Sequence, residues 1–268
     1  MCGWVFLFYK AEVRNISRGD YMSIIQQTAE SGISPLELVY QEVISTRSEK
    51  CEAYRALLKI NSLDLGVLMP EQYEEITLRN SQCEKLAAWS LDKLIDEISA
   101  INGAKVNFDW ISVYIPVRML YKDKLFNRLT KLIKNEKITD STKIAFEFSQ
   151  DILYEDKEMI VKHLQDIKSL GFKLILKDYG GEYCPVSRIF GLPFDSVILS
   201  NYIKDIMFDS KTKNLAQKII DYVREVEIRT ILFGINTATE IAVAYDFGCI
   251  ECIGGISGDY KKAEEIIK

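Results

Sequence analysis

The sequence predicts an α/β fold, a modified TIM-type (β/α)8 barrel whose first strand runs antiparallel to the second. Three observations support this class. Eight short apolar segments rich in Val, Ile and Phe have strand character, helical patterns separate most of them, and the connection between the first two is very short. Alternating strands and helices are typical of a parallel sheet with helices outside, and 268 residues suffice for one such barrel.

The first connection predicts the antiparallel strand. Only residues 46–51 separate the first strand from the second. A parallel crossover needs about a dozen residues or more, so these two strands must run in opposite directions. The eight strands are predicted at residues 36–45, 52–60, 108–117, 143–149, 173–178, 194–200, 228–235 and 250–255.

Capping residues and apolar spacing predict helices between these strands. The segment 81–100 begins with a Ser81–Glu84 capping box, and a Thr237–Glu240 box begins another helix. Apolar residues at helical spacing within 160–170 predict a third. Ser34–Glu37 also fits a capping box, but the apolar run that follows favours a strand there.

Composition excludes several classes of function. The net charge of −5 and the isoelectric point of about 5.2 are unfavourable for binding a nucleic-acid backbone. The apolar residues 4–9 are too short for a membrane span and lack the basic segment of a signal peptide, so they are interpreted as a buried strand or docking segment. We therefore expect a cytoplasmic protein.

The C-x-x-C pair argues against a zinc or redox site there, and histidine usage argues against His-dependent catalysis. Cys249 and Cys252 form a C-x-x-C pattern, but residues three apart on a strand point to opposite faces and cannot share a metal. His163 is the single histidine and lies in a helical pattern, where a surface position is the simpler interpretation. With a single histidine, the chain has almost no residues from which a His-dependent catalytic triad could be built.

Two parts of the chain are distinguished. Residues 1–35 are predicted to be an N-terminal extension with a short helix within 19–32, and residues 36–268 the barrel domain. The extension is too short for a separate sensor domain. It is expected to cap the barrel, contribute to a dimer surface or serve as a docking segment, and the sequence leaves these three roles open.

Candidate functional residues follow the predicted strands. In barrels of this type, side chains at the carboxyl ends of the strands meet over the barrel mouth. The segment KLILKDYGGEY at 173–183 ends an apolar strand with a lysine, an aspartate and two glycines. The residues expected at this end are Arg55, Lys59, Tyr114, Glu147, Lys177, Asp178, Ser200, Phe233, Gly254 and Gly255.

Eight segments in order resemble the EAL-domain family of cyclic di-GMP phosphodiesterases, over about residues 36–268. YQEVI stands where the family has Y-Q-P-I/V, and YRALLKI replaces its E-A-L motif and the arginine that follows. SVYIP, FEFSQ and LKDYGGEY correspond to S-V-N-L-S, E-I-T-E and L-D-D-F-G-T-G-Y. LPFDSVILS, ILFGINTATE and FGCIECIGG complete the series. The resemblance implies an irregular barrel with an antiparallel first strand.

The resemblance also implies a site with two divalent metals, Mg²⁺ or Mn²⁺, held mainly by acids. Of the acids in the family pattern, Glu147 and Asp178 are present. The other positions of the pattern depart from it. They hold Arg55 for the E-A-L glutamate, Tyr114 for the asparagine, Lys177 for the first aspartate, Ile198 for the lysine, Phe233 for the last glutamate, Ile253 for the glutamine and Lys59 for the phosphate-contacting arginine.

The substitutions change the charge at these positions from roughly −4 in the family pattern to roughly zero. A divalent ion about 5 Å from one fixed cation is disfavoured by roughly 6–7 kcal/mol at an effective dielectric near 20. We therefore expect no metal cofactor. The hypothesis is that Arg55 and Lys177 replace the metals and balance Glu147 and Asp178, with Arg55 binding one carboxylate bidentately. The alternative is that the four charges point independently into solvent.

Phosphate binding has weaker candidates. Lys59 and backbone N–H groups at Gly181, Gly254 and Gly255 could hold a phosphate, although such glycines more often serve tight turns. A basic helix face within 121–137 is usually solvated, but it could also dock an acidic partner.

Three functions follow from the resemblance and the departures. The first is a catalytically degenerate regulatory protein that acts through protein contacts and is able to pair as a homodimer. The alternative is an effector that binds cyclic di-GMP without cleaving it, through Lys59, the glycine turns and either cation of the site. Residual phosphodiesterase activity is third, because it needs a metal beside two fixed cations.

Overall fold

The structure is a computed structural model that describes residues 21–77, 82–104, 106–181 and 183–268. The apolar segment 4–9 and Ser81 of the predicted capping box lie outside the described residues. A helix, α1 (Tyr21–Glu30), is present where the sequence predicts a short one. None of the helices in the described ranges has the length and apolar character needed to cross a bilayer.

The strands lie close to their predicted positions. They are β1 (Leu36–Ser45), β2 (Cys51–Ser62), β3 (Gly66–Leu68), β4 (Ile111–Tyr114), β5 (Ile144–Ser149), β6 (Lys173–Tyr179), β7 (Ser196–Leu199), β8 (Arg229–Phe233) and β9 (Glu251–Ile253). The short β3 has no counterpart in the prediction and pairs with the end of β2. β4 is shorter than predicted because a 3₁₀ turn follows Pro116.

The helices after α1 pack outside the sheet or follow its strand ends. They are α2 (Pro70–Thr77), α3 (Gln82–Gly103), α4 (Lys124–Lys134), α5 (Lys157–Ser169), α6 (Asn201–Phe208), α7 (Lys213–Glu225), α8 (Ala238–Asp246) and α9 (Ala263–Ile267). The Thr237–Glu240 capping box is confirmed at the start of α8, where each residue's side chain accepts from the other's backbone N–H.

The sheet closes into a barrel, as predicted. β1 is antiparallel to both of its neighbours, β2 and β9, and β2 continues into a parallel series through β4, β5, β6, β7, β8 and β9. The connection over residues 46–50 is a short hairpin turn, which makes the antiparallel first pair unavoidable. The barrel class and its irregular first strand are therefore both confirmed.

Two buried layers stabilise this barrel. The larger apolar cluster lies between the sheet and the helices. The smaller cluster fills the barrel interior, because alternate residues of a strand face the same side. It consists of one side chain from each of seven strands and of Trp110, which directly precedes β4. Its members are Val43, Ala53, Trp110, Ala145, Ile175, Ile198, Ile231 and Ile253.

Candidate functional site

The interior layer fixes which side chains reach the barrel mouth. A residue two positions after an interior residue faces the same side of the sheet, one level nearer the carboxyl end of its strand. Four side chains reach the mouth at one level by this rule, each two positions after an interior residue. They are Arg55 after Ala53, Glu147 after Ala145, Lys177 after Ile175 and Phe233 after Ile231. The mouth is therefore built from four strands that the closed sheet holds in register.

Arg55 and Glu147 form a two-pronged ion pair across the mouth. Arg55 Nε donates to Glu147 Oε1 and Arg55 Nη2 donates to Glu147 Oε2, both at 2.7 Å. Ser112 Oγ donates to the same Oε1 at 2.5 Å, and Arg55 Nη1 donates to Gln41 Oε1 at 3.3 Å. Bidentate guanidinium–carboxylate contacts are among the strongest polar contacts in proteins, so the pair joins β2 to β5 firmly.

Both members of this pair are buried and charged. Burial opposes the ionised form of Glu147, but Arg55, with help from Lys177 and Ser112, lowers the pKa of this carboxyl below its ordinary value of 4.5. Burial also opposes the charge on Arg55, and the carboxylate of Glu147 outweighs it and raises the pKa of the guanidinium. Each charge therefore depends on the other for its compensation.

Lys177 has a partner that the sequence does not reveal. Its Nζ lies 2.5 Å from Glu74 Oε2 on α2, and 4.3 Å from the centre of the Tyr114 ring. Burial lowers the pKa of this ammonium group, but the charges of Glu74 and Asp178 outweigh it and raise the pKa above its ordinary value. The expectation that Lys177 helps to balance Glu147 and Asp178 is incomplete: these charges act on one another, but the direct contact of Lys177 is with Glu74, because α2 folds over the mouth.

Asp178 behaves differently from its neighbour. It is exposed and has a φ of +62°, next to the point where the register of β6 against β7 shifts. Aspartate tolerates this left-handed conformation better than most residues. Within the described residues no hydrogen bond or ion pair engages its carboxylate, so solvent exposure, the alternative raised from the sequence, describes Asp178 alone among the four charges.

A cavity of about 380 Å³ opens between the mouth and α2. Arg55 and Lys177 lie in its wall together with Tyr114 and Phe233. Five carboxylates face these two cations, which leaves a formal excess of three negative charges. The sequence count of roughly zero omits three of the five, which come from α2 and from the turn after β5. The five are Glu71, Glu74, Glu147, Asp151 and Asp178.

This architecture and residue pattern match a known family over most of the chain. Residues 25–257 match the EAL domain family. The chain belongs to the EAL domain family. The match begins 11 residues before β1, within α1, so it reaches into the predicted N-terminal extension.

Curated relatives of this EAL domain are distant and longer. Cyclic di-GMP phosphodiesterase PdeR of Escherichia coli K12 is 22% identical over 208 residues, which cover 77% of this chain and 31% of PdeR. Cyclic di-GMP phosphodiesterase NbdA of Pseudomonas aeruginosa is 20% identical and is covered to 27% of its length. The chain thus spans about a third of the length of the curated relatives it matches.

Solved EAL structures share the fold. The FimX EAL domain of Pseudomonas aeruginosa, bound to cyclic di-GMP, superposes with a TM-score of 0.75 at 17% identity, covering 91% of this chain and 97% of that one. The PaMucR phosphodiesterase in complex with cyclic di-GMP gives 0.78 at 16% identity, covering 91% and 98%. At these identities the likeness shows the barrel, while the chemistry of this mouth rests on its own side chains.

Lys59 lies away from the cavity of this EAL domain. Its Nζ is 2.5 Å from Glu37 Oε2 on β1, and it is absent from the cavity wall formed by the described residues. The assignment of Lys59 to the pocket and to phosphate binding is therefore corrected. The cause is the long β1–β2 pairing, which sets Lys59 opposite Glu37 in the ladder.

The glycines considered for phosphate binding lie in tightly packed turns where a side chain would have little room. A Cβ on Gly254 would lie 2.0 Å from the carbonyl oxygen of Ile235, and one on Gly255 would lie 2.7 Å from Asn236 Oδ1. A Cβ on Gly181 would meet a looser contact, 3.2 Å from the carbonyl oxygen of Asp178. The tight-turn interpretation favoured by the sequence describes these contacts, and none of the three glycines belongs to the described cavity wall.

Proposed function

We propose that this EAL domain is a non-catalytic regulatory protein that acts through protein contacts in the cytoplasm. The observation that carries the proposal is the buried Arg55–Glu147 pair, which occupies the position where the family pattern has two metal-binding glutamates. A guanidinium that pairs with Glu147 from within the fold occupies both carboxylate oxygens that a metal ion would need.

The donors at the mouth do not fit the two divalent ions that the family resemblance implies. Both oxygens of Glu147 already accept hydrogen bonds from Arg55, and Oε1 accepts a third from Ser112. Lys177 adds a second fixed cation at the position of a metal-binding aspartate. Hard cations need a surplus of anionic oxygens directed at one point, and here two buried cations, Arg55 and Lys177, stand among the oxygens.

A non-hydrolysing cyclic di-GMP effector is the second candidate. Its support is the cavity itself and the binding of that ligand by the FimX and MucR relatives. Against it, the cavity wall carries an excess of negative charge that opposes a ligand with two phosphates, and Lys59 is paired outside the cavity. The side chains of Phe233 and of the interior Ile253 have no groups that could form hydrogen bonds with such a ligand.

An exposed aromatic patch supports the protein-contact interpretation. Tyr154, Tyr183 and Phe190 expose 54%, 84% and 63% of their surfaces. Tyr154 Oη donates to the carbonyl of Tyr183, and Lys157 Nζ donates to the carbonyl of Phe190 at 2.8 Å, so both loops lie against the start of α5. Large aromatic side chains left exposed in a group mark interaction surfaces, and a second copy of the chain is one candidate partner, which sedimentation velocity tests.

Calorimetric titration with cyclic di-GMP separates the candidates. We expect no binding with or without Mg²⁺, and no linear dinucleotide after incubation with Mg²⁺ or Mn²⁺, with PdeR as the positive control. Micromolar binding without metal would favour the effector. Release of linear product would revive the phosphodiesterase and contradict the proposal.

A charge restoration tests the metal argument directly. We expect Arg55→Glu with Lys177→Asp to create a Mn²⁺ site at the mouth, where the wild type has none, because both changes return acids to that place. Arg47→Glu with Lys211→Asp makes the same charge change at exposed positions outside the cavity and is the matched control. Tight Mn²⁺ binding by the wild type at Glu147 would contradict the proposal.

A further inference from the structure

A second cluster of ionisable side chains lies where the turn before α4 meets α5. The carboxylates of Asp123 and Asp166 and the imidazole of His163 have ligand atoms that all lie within 4.8 Å of one another. His163 Nδ1 is 3.1 Å from Asp123 Oδ1. All three side chains are half-buried, and none belongs to the described wall of the mouth cavity.

The local structure directs these three groups together. His163 and Asp166 are three residues apart on α5, so they lie on the same helix face. Asp123 occupies the N-cap position of α4, where an aspartate normally accepts a backbone N–H. Its side chain makes no such capping bond and is turned towards His163 instead. The carboxylate of Asp123 therefore contacts the imidazole and does not cap the helix.

We infer that Asp123, His163 and Asp166 form a binding site for a divalent transition-metal ion of the zinc type. Two ligands about 2.1 Å from a tetrahedral zinc ion are about 3.4 Å apart, close to the 3.1 Å between His163 Nδ1 and Asp123 Oδ1. One imidazole with two carboxylates suits zinc better than magnesium, which prefers oxygen ligands alone. The half-buried position leaves a fourth coordination place for water.

The charges around the cluster favour a cation. With a neutral imidazole the three side chains carry a charge of −2, and Lys124, next to Asp123 in the chain, is engaged 2.8 Å from Glu84 on α3. An ion at this place would join the turn before α4 to α5, two segments 40 residues apart in the sequence. It would stabilise the folded chain because it binds a site that the unfolded chain lacks.

The single histidine makes the test direct. In protein labelled with ¹⁵N-histidine, one imidazole gives the side-chain signals, and Zn²⁺ is added up to two equivalents. We expect the Nδ1 resonance to shift and to saturate at one equivalent. At a Zn²⁺ concentration about 100 times the Kd, Tm should rise by about 5 °C.

Variants distinguish this site from zinc held by thiols. Asp123→Asn and Asp166→Asn should each weaken Zn²⁺ binding at least tenfold, and His163→Gln more, while Glu158→Gln on the same helix keeps wild-type affinity. Thermal unfolding without metal checks that each variant folds. The inference fails if His163→Gln binds Zn²⁺ like the wild type, or if the imidazole resonances ignore one equivalent and the contact is only an ion pair. Should His163→Gln not fold, unchanged affinity in Asp166→Asn overturns it equally.

Discussion

Two buried glutamates at opposite ends of the barrel meet arginine in different ways. Glu147, at the mouth, shares two hydrogen bonds with the buried Arg55 and a third with Ser112. Glu251, at the amino-terminal ends of the strands, has Oε1 3.0 Å from Arg229 Nη2, and 41% of the Arg229 side chain is exposed. The other oxygen of Glu251 is buried with no hydrogen-bond partner among the described residues.

The pKa values of the two carboxyls move in opposite directions. Burial raises the pKa of Glu251 above 4.5, and the attraction of Arg229 only partly offsets this, while Glu52 and Asp109 raise it further. At Glu147 the same burial is outweighed by Arg55, and the pKa is lowered. A buried carboxylate is therefore stabilised as an ion by the number and direction of its donors, and one half-exposed arginine is insufficient.

The carboxylate of Glu147 is therefore fully compensated by its hydrogen-bond donors, whereas the carboxylate of Glu251 is only partly compensated. The mouth, where the family pattern has metal ligands, is electrostatically complete at Glu147 without an ion. The opposite end keeps a carboxyl whose pKa is raised because its burial is only partly compensated. Four substitutions test that difference, at Arg55, Lys177, Glu251 and Glu147.

The largest effect is expected for Arg55→Met. It leaves Glu147 charged, buried and without its two guanidinium hydrogen bonds, which should lower the free energy of unfolding by about 3–5 kcal/mol. Urea denaturation at pH 7 measures it. The loss should shrink when Glu147→Gln is added, because the uncompensated charge is then gone, and a strictly additive double variant would show that the pair is not coupled.

Sequence reasoning succeeds at the Arg55–Glu147 pair for a simple reason. Both residues lie on strands, where alternation and closure of the barrel fix which side chains face one another. The strand positions and the antiparallel β1 follow from the same local signals. The bidentate contact could therefore be anticipated from one strand period and one family pattern.

It fails where a contact depends on an element outside the strands. Glu74 lies on α2, and no local pattern says that this helix crosses the mouth to meet Lys177. Lys59 has the correct strand parity for the mouth but is held by Glu37 in the β1–β2 ladder. Asp123 and His163 are 40 residues apart, and their proximity depends on how α4 and α5 pack.

An intermediate effect is expected for Lys177→Met. The substitution removes the ammonium group that lies 2.5 Å from Glu74, and Glu74 is less buried than Glu147, so water can partly replace its lost partner. We expect a loss of about 2 kcal/mol by urea denaturation. Lys124→Met removes a similar ion pair with Glu84 from the more exposed surface and, as the control, should cost less than about 1 kcal/mol. Equal losses in the two variants would contradict the view that the mouth is a special environment.

The smallest effect, and the one with a distinctive pH dependence, is expected for Glu251→Gln. Because the folded-state pKa of Glu251 is raised, ionising this carboxyl costs stability above that pKa, and the cost disappears below the ordinary value of 4.5. The wild type should therefore lose stability as the pH rises from 4.5 through the folded pKa, and Glu251→Gln should lack this loss. At neutral pH the variant should equal or exceed the wild type by on the order of 1 kcal/mol.

Glu147→Gln supplies the opposite sign in the same series. The lowered pKa of Glu147 gives the wild type stability that is present above 4.5 and is lost as the pH falls through the folded pKa, and this variant lacks that contribution. Urea midpoints from pH 3 to pH 8 compare both variants with the wild type. If the two difference curves bend in the same direction, the fold shifts the pKa values of both glutamates in the same direction, and the contrast between a fully and a partly compensated carboxylate is wrong.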